Sequence, residues 1–393
     1  MFSDEIKQCV EKYYPKGAAI RHHLHQYPEL SEQEVETAGL VAATLREHGI
    51  ETRQGIAGNG VLGIIRGKQP GKTVLLRADM DALAVNEAAD VAYKSKRPGI
   101  MHACGHDGHT AGLLIAAMAL AELKALIPGT IKLMFQPAEE TVGGAQRMIQ
   151  AGILEHPRVD GAFGCHLWGQ IPEGMVWVKS GPVMASPDEF RITLIGRGGH
   201  GALPHLGVDP VVMASQVILQ FQTIVSRRRN PLDPAVVSIC MIQGGETHNV
   251  IPGEVQMIGT IRTFSKELRD FIPQEMERIL QGITLAAGGS YTLEVCKRFP
   301  PLINDPGATE IVREAAKKIV GPEKVRDAAE ANMAGEDFAY IAEKVKASFF
   351  FVGIAKDETP LIHHSPYFQW DDPALSITAA CLCQAALDFL HAP

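Results

Sequence analysis

The sequence predicts an α/β fold: a main domain with a mainly parallel central sheet, interrupted by an inserted ferredoxin-like α+β domain. Three observations carry this expectation. The chain has 393 residues, long for one hydrophobic core, which favours two domains. Helical and apolar-strand patterns alternate up to Gly181-Pro182, the mark of a layered fold with parallel strands. The pattern then changes to strand–helix–strand–strand–helix–strand, the order of a ferredoxin-like module, before helices and a strand return after Pro300-Pro301. These changes divide the chain into 1–183 and 299–393 for the main domain and 184–298 for the insert.

In chain order, 3–27 and 32–48 carry helical patterning. A strand pair follows, then the apolar strand 73–77. The run 111–121 is apolar throughout and marks 108–126 as a buried helix. A strand at 130–135, a helix at 143–151 and a strand at 161–164 complete the first segment. In the insert, 190–195 alternates like a half-exposed strand. A helix at 209–226 follows, then strands 236–242 and 254–262 joined by a Gly-rich turn, a helix at 266–287 and a strand at 291–297. Helical patterns at 308–320, 337–345 and 373–391 then surround a last apolar strand, 348–353.

Composition excludes several classes. Hydrophobic residues make up 46% and charged residues 21%, as in a globular protein and unlike a disordered chain. A net charge of -8 argues against nucleic acid as a partner, and the basic run Arg227-Arg228-Arg229 reads as a solvated helix end. The polar start MFSDEIKQCV predicts no secretory signal. The run 111–121 falls short of the about 20 residues that a membrane span needs. Seven cysteines, an odd number without a compact framework, point to a reducing cytoplasm.

Ligand-binding groups of open α/β sheets gather beyond the carboxyl ends of the strands. The residues after the apolar strands here are Asp79 and Asp81, then Glu139 and Glu140, then Cys165 and His166, and after a loop His363 and His364. Just before the long helix lies His102-Ala-Cys-Gly-His-Asp-Gly-His109. Carboxylates, imidazoles and a thiol suit a borderline divalent ion such as Zn, Mn, Ni or Co, and their number suits two ions. In an extended chain, Glu139 and Glu140 would point opposite ways, one to metal and one to substrate as a general base. The plainer reading of the pair is two surface glutamates. His22, His23 and His25 read as surface or supporting residues, Cys165 as a packed residue, and His109 as a ligand or a packed support. The insert holds Gly196–His205, Gly244–Pro252 and Gly259–Thr263. There a histidine can donate to an oxyanion and Arg262 can clasp a carboxylate, unless these are ordinary hairpin turns.

The stretches MHACGHDGHTA, FQPAEE, GCHLWG, GRGGHGALPH, THNVIP, GTIRTF, GEDFAY and HHSPYF together resemble the M20 metallopeptidase family. More narrowly they are similar to its amidohydrolase branch, the hippurate, N-acyl-L-amino-acid and auxin-conjugate hydrolases. The resemblance runs from Arg21 to Leu390. It implies two divalent metal ions per subunit, held by Cys104, His106, Glu140, His166 and His364, with the Cys104 thiolate bridging. It implies Glu139 as the general base. It makes the insert a lid and dimerisation domain that brings His200 over the site, sometimes across a dimer interface, with Asn249 and Arg262 on the substrate carboxylate. The chain departs from the pattern at Ala84, where relatives usually have proline, and at His363-His364-Ser-Pro, where His364 is taken as the ligand and His363 remains the alternative.

The expected activity is cleavage of the amide bond of small N-acyl-L-amino acids by a homodimer or homotetramer, with neither nucleic acid nor membrane as partner. The alternatives are a dipeptidase or carboxypeptidase on the same dinuclear site, and a non-catalytic metal- or amino-acid-binding protein, against which Glu139 argues.

Overall fold

The computed structural model describes residues 2–141, 143–356 and 359–392. The chain forms two compact units, one of Met1–Gly181, Ile303–Glu330 and Tyr340–Pro393, the other of Pro182–Leu302 and Ala331–Ala339.

The larger unit is built on an 8-stranded sheet. Its order is Glu51–Ile56, Gly60–Arg66, Pro128–Gln136, Gln69–Asp79, Gly161–Pro172, Lys346–Ala355, Val176–Val178 and Val325–Asp327. The central strands, from Pro128–Gln136 to Lys346–Ala355, run parallel, so their carboxyl ends share one edge. Long buried runs such as Val74-Leu75-Leu76 and Phe349-Phe350 explain why they lie in the middle, where both faces are covered. The expected strand at 161–164 continues to Pro172 because Lys346–Ala355 pairs with it along most of its length. Val176–Val178 and Val325–Asp327 are too short to show a period in sequence. The helix expected at 337–345 shrinks to Ala339–Ala342, since the chain enters a strand at Lys346.

Three helices pack on one another in this unit. The helix His106–Glu122 is buried from His106 to Leu120 and packs on both Ser3–Gln26 and Pro373–His391. Small residues let them approach: a Cβ on Gly17 would lie 2.3 Å from the Ile115 side chain, and one on Gly112 2.8 Å from Thr378. Pro373–His391 is long and apolar enough to cross a membrane, yet most of it is buried inside this core.

The smaller unit has the chain order strand–helix–strand–strand–helix–strand. Its antiparallel sheet runs Ala235–Gln243, Glu254–Thr263, Ser186–Ile195, Ser290–Cys296. The helices Pro210–Thr223 and Lys266–Ala287 supply Met213, Val217, Phe221, Ile272, Met276 and Leu280 to the core of this unit. Asp209 and Ser265 cap them, Asp209 accepting from the Val211 and Val212 amides and Ser265 from that of Leu268. The segment Ala331–Ala339 joins this unit through Ala185 N, which donates to Asn332 O (3.1 Å) and Ala334 O (3.0 Å).

Candidate metal centre

The donor groups come from the ends of central strands of the large sheet, from the start of the long helix and from the loop that holds His364. Gln69–Asp79 ends in Asp79 and leads to Asp81. Pairing between that strand and Gly161–Pro172 stops at Gly164, two residues before His166. His106 opens the long helix, and Gly105 before it has a φ of 94°, a conformation that favours glycine. His364 N donates to Ala103 O at 2.8 Å, which ties the C-terminal loop to the Cys104 segment.

After Pro128–Gln136 the chain does not stay extended. Ala138 has a φ of 54°, and Glu139 and Glu140 lie in a turn. The alternation expected of an extended Glu-Glu pair therefore does not apply. Both carboxylates belong to one group with His106, their nearest oxygens and a ring nitrogen within 4.8 Å of one another.

Donor atoms of Cys104, His106 and His166 form a second such group, and those of Cys104, Glu140 and His364 a third. Cys104 Sγ lies 3.5 Å from His166 Nε2, and Glu140 Oε1 lies 3.3 Å from His364 Nε2 and 3.9 Å from His106 Nε2. The five residues expected to hold metal thus meet around one spot, with Glu139 beside it. His363 turns away: its Nε2 donates to Leu167 O at 3.1 Å, and its ring packs on Trp168 and Phe368.

Hydrogen bonds aim the imidazoles. His106 Nδ1 donates to Asp81 Oδ1 at 3.2 Å, and His166 Nδ1 to Leu167 O at 2.7 Å. Both rings therefore turn Nε2 towards the cluster, the usual support of a metal-binding histidine. His109 has no nitrogen to spare. Its Nδ1 donates to Asp79 Oδ1 at 2.6 Å and its Nε2 accepts from Leu167 N at 3.0 Å, so it is a packed support. Asp81 is the hub: besides His106 it accepts from Ser31 Oγ (2.6 Å), Glu139 N (3.2 Å) and Glu140 N (3.1 Å). His25, expected at the surface or in support, is buried between Asp107 and Glu87. Cys165 is buried as a packed residue.

The electrostatics ask for a cation. Burial alone would hold His106 neutral, but Asp79, Asp81 and Glu140 outweigh it and raise its pKa to about 10. Burial, Glu140 and Glu139 push the Cys104 thiol well up, so without a cation it keeps its proton. Glu140 Oε1 is buried without a hydrogen-bond partner among the described residues. An acidic pocket that protonates its own histidine, with a thiol and a buried carboxylate oxygen that accepts no hydrogen bond among the described residues, fits positively charged metal; a coordinated thiol loses its proton.

In the smaller unit, the short ribbon Gly199–His200 and Val250–Ile251 brings His200 beside Asn249: Gly201 N donates to Asn249 O at 2.8 Å. His200 is exposed, and its Nδ1 accepts from Ala202 N at 3.0 Å, which leaves the ring proton on Nε2. Arg262 is half-buried on Glu254–Thr263, where Nη1 donates to Thr260 Oγ1 at 2.5 Å. Among the described residues no carboxylate lies within ion-pair distance of its guanidinium.

Ser31, Glu34, Arg77 and the backbone of Leu167 escape a reading of the sequence. Arg77 Nη1 donates to Asp79 Oδ2 at 2.7 Å, a partner two residues away on the same strand face, which alternation does suggest.

A parallel-sheet edge bearing grouped acid, imidazole and thiol donors defines a candidate metal centre, and the known proteins it resembles are hydrolases that act on amides. The profile of the peptidase family M20/M25/M40 matches residues 75–388, and the chain belongs to that family. It is 45% identical over 305 residues to an N-acyl-L-amino acid amidohydrolase of Geobacillus stearothermophilus, covering 77% of this chain and 82% of that protein. It is 39% identical over 392 residues to thermostable carboxypeptidase 1 of Saccharolobus solfataricus, covering 98% of each. A crystal structure of a dinuclear metal-binding M20-family peptidase from Bacillus subtilis superposes with a TM-score of 0.85 at 34% identity, covering 98% of this chain and 99% of that one.

Proposed function

We propose that the protein hydrolyses N-acyl-L-amino acids to a carboxylic acid and a free amino acid. The observation that carries the reading is the meeting of Cys104, His106, Glu140, His166 and His364 with Glu139 alongside. These five would hold two divalent ions (Zn, Mn, Ni or Co). Bound there, such ions would lower the pKa of the attacking water towards about 7 and offer a Lewis acid to the carbonyl oxygen. Glu139 takes the proton of the attacking water on a carboxylate oxygen and returns it to the leaving nitrogen. His106 and His166 keep their Nδ1 protons committed to Asp81 and Leu167, so neither ring competes for that proton.

His200 donates its Nε2 proton to the developing oxyanion, and Asn249 and Arg262 hold the α-carboxylate, roles that their surroundings in the smaller unit leave open. Residues 184–298 then act as a lid and dimerisation domain within a homodimer or homotetramer that works in the reducing cytoplasm. Glu139→Gln is expected to lower kcat by about 10²–10⁴-fold with metal content unchanged. A variant that keeps full activity with its metals bound would falsify the assignment.

The second reading, a carboxypeptidase or dipeptidase, is favoured by the likeness to thermostable carboxypeptidase 1. Comparing N-benzoylglycine with free dipeptides separates the two: faster turnover of the dipeptide would favour the peptidase.

A further inference from the structure

The turn that carries Glu139 begins at Ala138, whose φ of 54° is one that side-chain-bearing residues rarely adopt. Such backbone persists only where its surroundings over-determine it. Two buried carboxylates do so here. Asp81 accepts from the amides of Glu139 and Glu140, as described. Glu34, fully buried, accepts from Ala138 N at 2.8 Å through Oε1 and from Asn59 Nδ2 at 3.1 Å through Oε2. Both oxygens accept, and among the described residues no basic side chain pairs with Glu34.

Glu34 stands at the N-terminal boundary of the helix Val35–Glu47, but its side chain does not cap that helix. Glu29 does, accepting from Glu36 N (3.1 Å) and Thr37 N (2.8 Å). The Glu34 carboxylate is thus free for the turn. The same segment touches the site twice more. Ala82 N donates to Glu29 O at 2.7 Å, and Ser31 Oγ donates to Asp81 Oδ2 at 2.6 Å. Asn59 is itself fixed by donating to Glu32 O at 3.0 Å.

We propose that residues 29–34 form a brace for the catalytic turn, and that Glu34 is its positioning residue, fixing the Ala138 amide so that Glu139 faces the reacting water. The inference rests on Glu139 as the base. Glu34 does not touch substrate; it acts through the backbone, and a displacement of about 1 Å at a reacting group is worth on the order of 10²-fold in rate.

The test pairs kinetics with amide hydrogen exchange in the metal-loaded enzyme, with N-benzoylglycine as substrate. Glu34→Ala is expected to lower kcat by on the order of 10²-fold, with KM within about threefold and metal content unchanged. Exchange in the peptide 136–141 should accelerate while that in 103–110 stays as in the wild type. Glu34→Gln, which keeps an acceptor for Ala138, should recover most of the rate. Should Glu34→Ala fail to fold, Asn59→Ala loosens the same carboxylate and should also accelerate exchange at 136–141. Unchanged exchange there, or metal loss in proportion to lost activity, overturns the brace. A Glu139→Gln enzyme with full kcat instead ends the base assignment, and leaves the exchange result to judge the brace alone.

Discussion

At the scale of single residues, Asp81 repays attention because one carboxylate serves four donors from three parts of the chain. It orients His106, receives Ser31 and holds the amides of both glutamates. Asp81→Ala is therefore expected to weaken metal retention by about 10–100-fold, the usual cost of losing a support behind a ligand. Equilibrium dialysis against a chelator series, read by elemental analysis, checks it; unchanged retention would count against the network. The strand pattern by itself offers the wider set of donors around Asp79, Asp81, Glu139, Glu140, Cys165, His166, His363 and His364, and it is the family resemblance that selects Cys104, His106, Glu140, His166 and His364 from among the donors, five residues the structure brings together. Ser31 and Glu34 are not legible in the sequence, because the pattern leaves Ser31 in a short connection, puts Glu34 inside the helix 32–48, and marks neither as turning inward. The turn at Ala138 is equally silent, since alanine carries no signal for positive φ.

At the scale of elements, the start of the long helix is packed without slack. A Cβ on Gly108 would lie 2.3 Å from the Trp370 ring and 2.6 Å from Leu167. The Arg21 guanidinium sits 3.5 Å from the centroid of that ring, so Trp370 cannot swing away freely. Gly108→Ala should cost about 1–3 kcal/mol, seen as a lower urea midpoint with an unchanged slope.

The same helix is joined to Ser3–Gln26 by charge. Burial opposes a charge on His25, but hydrogen bonds to Asp107 and Glu87 outweigh it and raise its pKa to about 9. A raised pKa contributes stability that is complete below the unfolded value of 6.5 and is lost as pH rises through about 9. Asp107 works in the other direction. Burial alone would raise it, yet His25 and Arg21 hold it far below the carboxylate range, so its contribution fades only in acid. The thermal midpoint should fall between pH 7 and 10, and His25→Asn should flatten that fall; an equally steep fall in the variant would refute the link. The patterns announce both helices, whereas the ion pairs that lock them need coordinates, because Asp107 lies 86 residues from Arg21 and 82 from His25 along the chain.

At the scale of the molecule, the two units differ in how metal should affect them. A ligand that binds only the folded state adds about 2.7 kcal/mol at a hundred times its Kd. Chelation should therefore lower the melting transition of the larger unit and leave that of the smaller, whose core is Phe190, Phe221 and their neighbours, where it was. Calorimetry with and without chelator reads this directly, and equal shifts in both transitions would disfavour a centre confined to the larger unit. The alternation of patterns makes the layered fold legible, and its interruption makes the insert legible. The return of Ala331–Ala339 to the smaller unit is hidden, because backbone bonds to Asn332 and Ala334 carry it and leave no trace in composition.

The helix Pro373–His391, buried among the others, has a consequence for biosynthesis. The sheet's strand Lys346–Ala355 and this helix reach the ribosome exit only after the whole of Pro182–Leu302 has been made. Until then the growing chain lacks the helix that covers part of Ala111–Leu120 in the full chain, so that apolar surface has only Ser3–Gln26 to pack on from among the helices described above. Such a nascent chain is a natural client for chaperones. A polypeptide halted before Pro373 should stay bound to them, while its smaller unit, which needs nothing from that helix, can already have folded.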